Sequence, residues 1–239
     1  AITGRIHTLT EQSEKTNEQL SEKQQLLTGY NQSIEKEQTE YHRSASRLES
    51  LRNITERYDG YGNSIRRVME QKERVPGIYG VVADIIKVEK AYEIAIETAL
   101  GGSIQNIVTD TEETAKLLIE FLKKNKYGRA TFLPLSGISG RGGISSPQAL
   151  QERGVIGLAS TLVHADTRYQ ELIAYLLVKT VVVDKIDNAI ALARKYRHSL
   201  RIVTTDGELL SPGGSMSGGA LRNSSNLLGR RREIEDLER

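Results

Sequence analysis

The chain has 239 residues with no cysteine and no tryptophan, and 33 Lys and Arg against 31 Asp and Glu give a formal charge of +2. That composition excludes disulfides and thiolate metal sites, and so mild a charge does not mark a nucleic-acid binder by bulk electrostatics. No apolar run reaches the roughly 20 residues of a membrane-spanning helix, so the expectation is a soluble, cytoplasmic protein with no membrane contact.

From Ile2 to Tyr58 the chain keeps an alternating spacing of four and three residues. Eleven of seventeen lattice positions are apolar or aromatic, namely Ile2, Ile6, Leu9, Leu20, Leu27, Tyr30, Ile34, Tyr41, Leu48, Leu51 and Tyr58. A 3.5-residue repeat sustained this long keeps one narrow stripe facing a partner helix, which is the pattern of a coiled coil. Ser13, Thr16, Lys23, Glu37, Ser44 and Thr55 interrupt the seam, and Gly4 and Gly29 lower helix propensity. The spacing returns from Leu227 to Leu237. Residues 1–59 are therefore read as an ascending coiled-coil arm and 223–239 as the start of a returning one. The seam is still running where the chain stops, so an excerpt of a longer protein is expected.

Residues 60–222 form the globular middle, with 21 basic and 17 acidic side chains. Gly60 and Gly62 break the incoming arm, and Pro76-Gly77 introduces a strand around 79–83. A repeated unit follows. Aligning Ala115 with Ala189 lays Ile107-Val108-Thr109-Asp110 over Val181-Val182-Val183-Asp184, with Glu113 over Asp187. In each copy a β-branched run ends at an Asp suited to N-cap the next helix, with an acid three residues later. Helices are predicted at 111–124 and 185–196, each leading through a cationic cluster to a further strand. Additional helices are predicted at 89–100 and 168–178. The fold class is mixed α/β: two pseudo-symmetric β-α-β halves, about 60–135 and 155–222, inserted in an antiparallel coiled coil. A mixed sheet covered by helices is the simplest arrangement, and similar halves suit pairing with a second copy.

Ser211-Pro212-Gly213-Gly214-Ser215-Met216-Ser217-Gly218-Gly219 is the densest glycine cluster. Gly213 and Gly218 have phosphate-loop spacing, but Gly219 stands where the phosphate-binding lysine belongs. Backbone without side chains suits a tight turn or close approach by another chain. His7, His42, His164 and His198 lack ligand spacing, so no metal site is expected. No catalytic constellation is present. The cations Lys123, Lys124, Lys126 and Arg129, with Arg66 and Arg67, are the candidates for phosphate contact, Tyr127 standing beside them for base stacking. Arg194 to Arg201 forms a second basic group. Cations at helix C-termini also complement the helix dipole without any ligand. Arg230 to Arg232 is read as a solvated helical face.

Gly60-Tyr61-Gly62, Pro76-Gly77-Ile78-Tyr79-Gly80, Leu100-Gly101-Gly102, Gly128 to Leu135 and the 213–219 cluster, in this order between two coil segments, resemble the hinge of a structural maintenance of chromosomes (SMC) protein of the bacterial homodimeric type. The resemblance implies a dimerisation hinge, with Gly213, Gly214, Gly218 and Gly219 at the interface and the six cations named above contacting DNA. It also implies ATPase heads, with ATP and Mg, outside this segment, and accessory subunits acting mainly elsewhere. The fragment itself is then no enzyme and needs no cofactor, and the whole protein would be nucleoid-associated in chromosome condensation and segregation. The alternative is a nucleic-acid-binding module whose dimerisation is incidental.

Overall fold

The computed structural model describes residues 2–219 and 226–239, and the chain divides into two compact units, residues 1–50 and 51–239. The first is the greater part of one helix, α1 (Ile2–Glu56). Its apolar stripe is uncovered in the single chain: Ile2, Ile6, Leu9, Leu20, Leu27, Tyr30, Ile34 and Tyr41 are each more than half exposed. The hydroxyl residues along α1, Thr16 of the seam among them, do not break the helix. Thr16, Thr28, Ser33 and Thr39 donate their hydroxyls to carbonyls one turn back, an internal partner that leaves the backbone ladder in place.

The second unit starts at Leu51, the one buried residue of α1. The helix stops at Glu56, ahead of the glycines, because Tyr58 turns left-handed at φ 51° and Gly60 follows at φ 96°. After α2 (Asn63–Met69) comes the first half: β1 (Ile78–Val81), α3 (Val82–Ile85), β2 (Lys87–Val88), a 3-10 turn (Lys90–Tyr92), α4 (Glu93–Leu100), β3 (Ile107–Thr109), α5 (Glu112–Asn125) and β4 (Phe132–Pro134). The second half repeats the series: β5 (Val155–Leu158), a 3-10 turn (Ala159–Leu162), β6 (Val163–His164), a 3-10 turn (Thr167–Tyr169), α6 (Gln170–Leu177), β7 (Thr180–Val183), α7 (Ile186–Lys195) and β8 (Arg201–Thr204). Only the second half continues into a hairpin, β9 (Leu209–Leu210) and β10 (Met216–Ser217), before α8 (Leu227–Leu237).

The repeat thus begins earlier than the aligned Asp-containing runs. In each half the leading strand runs antiparallel to the central one, which runs parallel to the last. Even the irregularities coincide: the register shifts between Ile78 and Gly80 and again between Val155 and Gly157. In place of one mixed sheet there are two, ordered β1-β3-β4 and β10-β9-β8-β7-β5, and a two-stranded ribbon of β2 with β6. Lys87 pairs with His164 in that ribbon, and these occupy equivalent places in the two halves. Antiparallel pairing of equivalent residues is what a twofold axis generates, so a pseudo-twofold passes between them.

Strand periodicity distributes the core. Val182 and Val203 face a shared interior with Ile96, Ile107, Leu118, Leu172 and Leu177 from both halves, whereas Val181, Val183 and Ile202 turn to the other face, against Ala189 and Leu192 of α7. A central strand buried on both faces is why 181–183 reads as an unbroken apolar run.

The Asp caps act one residue away from the expected position. Thr111 is the N-cap of α5 and accepts from the Thr114 amide, while Asp110 accepts from the Thr111 amide and the Thr114 hydroxyl, both at 2.6 Å. Asp184 likewise accepts from the Lys185 amide and the Asn188 side chain, both at 2.7 Å, while Lys185 in the cap position makes no side-chain cap bond. Both carboxylates are held below their ordinary range, chiefly by the Thr114 and Asn188 bonds respectively. The Asp110 and Asp184 amides donate to Gly77 and Gly154, and a Cβ on either glycine would run into the capping side chains. Each glycine therefore lets its strand pass over a helix start.

Candidate self-association edge, basic face and arm root

The glycine cluster forms the turn and outer edge of the larger sheet. Met216 pairs with Leu210 and Ser217 with Leu209, the Ser211 amide donates to Ser215, and the Gly213 amide reaches the His198 carbonyl at 2.8 Å. Gly213, Gly214 and Gly219 have φ of 91°, 101° and 132°, conformations that side chains disfavour. Gly218 does not share that reason; a Cβ there would sit 3.0 Å from Glu208 Cγ. All four glycines are exposed, and added Cβ atoms at Gly213 and Gly219 would meet nothing. β10 is the outermost strand of its sheet, and its Met216 side chain is 54% exposed.

Arg66 and Arg67 come together in space with the Lys123 to Arg129 group. The Ser64 hydroxyl of α2 donates to the Arg129 carbonyl at 2.7 Å, Asn63 reaches the Tyr127 carbonyl, and Arg67 lies 5.0 Å over the Tyr127 ring. This seats Arg66 and Arg67 beside the end of α5, where Lys123 and Lys124 occupy the last turn and Lys126 is left-handed. Lys123, Lys124, Lys126 and Arg129 are exposed. Arg66 and Arg67 have the loose acidic neighbours Asp59 at 3.9 Å and Glu70 at 3.2 Å. Tyr127 is not free for base stacking as expected, because it is partly buried between Arg67 and Phe121, whose ring centroid is 5.7 Å away. Two of the four cations of the 194–201 group are taken up by structure, Lys195 pairing with Glu152 at 2.6 Å and Arg201 donating to the Ala99 carbonyl, while Arg194 and Arg197 are exposed.

Arg230 to Arg232 is not a solvated face. Arg230 donates to the Asp59 carbonyl, Arg231 to the carbonyls of Asp84 and Ile86, and Arg232 to Glu93 at 2.5 Å. Lys87 pairs with Glu235 at 2.8 Å and Arg52 with Glu238 at 2.6 Å. Glu97 accepts from the Leu227 amide at the start of α8. Burial, against the pull of that bond, raises its carboxyl to about 7. Burial also raises Asp84, even though Tyr58 donates to it. Sequence reasoning missed this arm root because its members lie far apart in the chain; the one local signal was Arg230-Arg231-Arg232 directly after a helix start. Among the described residues no cluster of metal-ligating side chains occurs, and no helix is long and apolar enough to cross a membrane.

The family model of the SMC proteins' flexible hinge domain matches residues 75–193, from just ahead of β1 into α7. A crystal structure described as an asymmetric dimer of the Geobacillus stearothermophilus SMC hinge domain superimposes with a TM-score of 0.75 at 38% identity, covering 84% of this chain and 82% of that one. The chain belongs to the SMC hinge family. The chromosome partition protein Smc of Bacillus subtilis is 42% identical over 195 residues, 80% of this chain, and that of Desulfitobacterium hafniense 38% identical over 237 residues, 95% of this chain. The hinge chain spans 16% and 19% of the length of those two relatives. It corresponds to the non-catalytic hinge of such proteins.

Proposed function

We propose that this hinge joins two copies of a chromosome-organising SMC protein at the turn of a long antiparallel coiled coil, α1 rising to the body and α8 starting the return. The observation that carries the reading is the β10 edge, unpaired on its outer side among the described residues, with its exposed glycines, in a fold whose Geobacillus counterpart is described as a dimer. Gly213, Gly214, Gly218 and Gly219 shape a backbone surface that another chain can approach closely, and pairing there satisfies amides and carbonyls that an edge leaves open. The uncovered seam of α1 supports the coiled-coil part, since a stripe from Ile2 to Tyr41 needs a partner helix. Sedimentation equilibrium of the 239-residue chain at micromolar concentration is expected to give twice the chain mass; a monomer overturns the reading.

The convergence of α2 with the end of α5 supports a second role. Lys123, Lys124, Lys126, Arg129, Arg66 and Arg67 form a face for the phosphates of DNA, bound without sequence preference and weakened by salt through counterion release. Should DNA affinity be unchanged when self-association is abolished, the nucleic-acid module is the primary function and dimerisation is incidental. In the whole protein the hinge would work mechanically, coupling arms to ATPase heads that use ATP and Mg and to accessory subunits, at the nucleoid in the cytoplasm. Chromosome condensation and segregation are the processes this arrangement serves.

A further inference from the structure

The pseudo-twofold supplies the second half with a counterpart of the surface on which α8 sits, and something different occupies it. On the first half, α8 lies against α4, where Glu93 holds Arg232 and Glu97 receives the Leu227 amide. The matching helix of the second half is α6. Glu93 is the first residue of α4 and Gln170 the first of α6; Glu97 is the fifth and Ala174 the fifth. Both acids that hold α8 are therefore replaced, one by a neutral amide and the other by a methyl group.

The linker between the halves covers that face of α6. The Gly140 amide donates to Glu171 at 2.8 Å. A Cβ on Gly140 would collide with the Ala174 methyl and lie 2.9 Å from the Glu171 carbonyl oxygen. Each half thus sends the segment that follows its last strand across to the central helix of the other half. A backbone N–H is received there by a glutamate, Glu171 in one case and Glu97 in the other.

We infer that Glu93 and Glu97 select the first half as the only seat of the returning helix, and that the Gly140 segment is a strap occupying the equivalent seat on the second. Gly140 is admitted by the small Ala174, and α8 is excluded there because Gln170 and Ala174 stand where the acids that meet Arg232 and the amide of Leu227 stand on α4, while the strap's own amide takes up Glu171. Both ends of the coiled coil are consequently rooted on one half, since Tyr58, just beyond α1, is bonded to Asp84 of the same half. The inference concerns how α8 is held and stands whether or not two copies pair.

Amide hydrogen exchange on the intact chain tests it. Glu93→Ala with Glu97→Ala is expected to speed exchange in 229–237 by at least about tenfold, the scale of losing charge-assisted hydrogen bonds, while Val181 to Val183 keep their protection. In a cycle of Glu93→Ala and Arg232→Ala, the double variant should lose less than the sum of the singles. Ala174→Leu should speed exchange in 138–141 and leave α8 unchanged. Unaltered protection of α8 in the Glu93 and Glu97 variant, equal loss in Val181 to Val183, additive effects in the cycle, or a strap indifferent to Ala174→Leu would each overturn the inference.

Discussion

The Tyr58 hydroxyl donates to the Asp84 carboxylate across 2.9 Å, fastening the residue where the first arm ends to the short helix of the first half. Burial keeps the phenol of Tyr58 above its ordinary range and pushes Asp84 up as well, while the Tyr58 bond pulls Asp84 back down. Tyr58→Phe is expected to raise the Asp84 pKa further and lower unfolding free energy by about 1–3 kcal/mol. Urea unfolding followed by circular dichroism, with an unchanged denaturant slope, is the check.

Glu97 sets a pH dependence. Its folded pKa of about 7 lies above the ordinary 4.5, so the folded chain holds this proton more tightly than the unfolded chain. Its stabilising contribution is complete below pH 4.5 and is lost as pH rises through about 7. Glu97→Gln keeps an acceptor for the Leu227 amide and should flatten that part of the stability profile. An unchanged slope between these limits would assign the dependence to other groups.

Gly77 and Gly154 make an internal pair. Alanine at either position displaces a capping carboxylate, and a loss of about 1–3 kcal/mol is expected at each. Gly154→Ala should cost more, because Gly154 also has φ 79°. Thermal unfolding of both variants gives the ranking, and a neutral Gly77→Ala would remove the close-approach account.

Met216→Asp tests the edge without disturbing the positive-φ glycines. The side chain is exposed in the single chain, so the substitution should leave monomer stability within about 0.5 kcal/mol while weakening self-association at least about tenfold through a charge buried in the contact. Concentration-dependent sedimentation velocity reads both states.

Charge reversal at Lys123, Lys124 and Lys126 should abolish DNA binding or cut it by more than about tenfold, and reduce the slope of log affinity against log salt by about 3. Fluorescence anisotropy across a salt series measures both. Retained affinity would move the contact away from this face.

The long helix was legible because a seven-residue spacing is local: of the residues that keep it, Ile2 to Tyr41 lie uncovered along α1, and Leu51 is buried. The duplicated strands were legible where β-branched runs end in Asp. The origin of the repeat was not, since Ile78-Tyr79-Gly80 and Val155-Ile156-Gly157 share a bulge more than they share side chains. The Asp caps fell one residue off because Asp110 and Asp184 serve a helix start and a crossing glycine together, and that glycine lies far away in sequence. Meeting of Arg66 and Arg67 with the Lys123 to Arg129 group depends on Ser64 reaching the Arg129 carbonyl, a contact no periodicity announces. Arg230 to Arg232 misled for the same reason: their acceptors are on α3 and α4, or are the carbonyls of Asp59 and Ile86.

The brevity of β10 has a consequence for how many chains can join. An outer strand of two residues, flanked by a hairpin turn and by Gly219 at φ 132°, is too short a template for open-ended growth into fibrils. On the proposed pairing at this edge, a surface this small would reward only a matching neighbour in one register, and so favour a closed pair over a polymer.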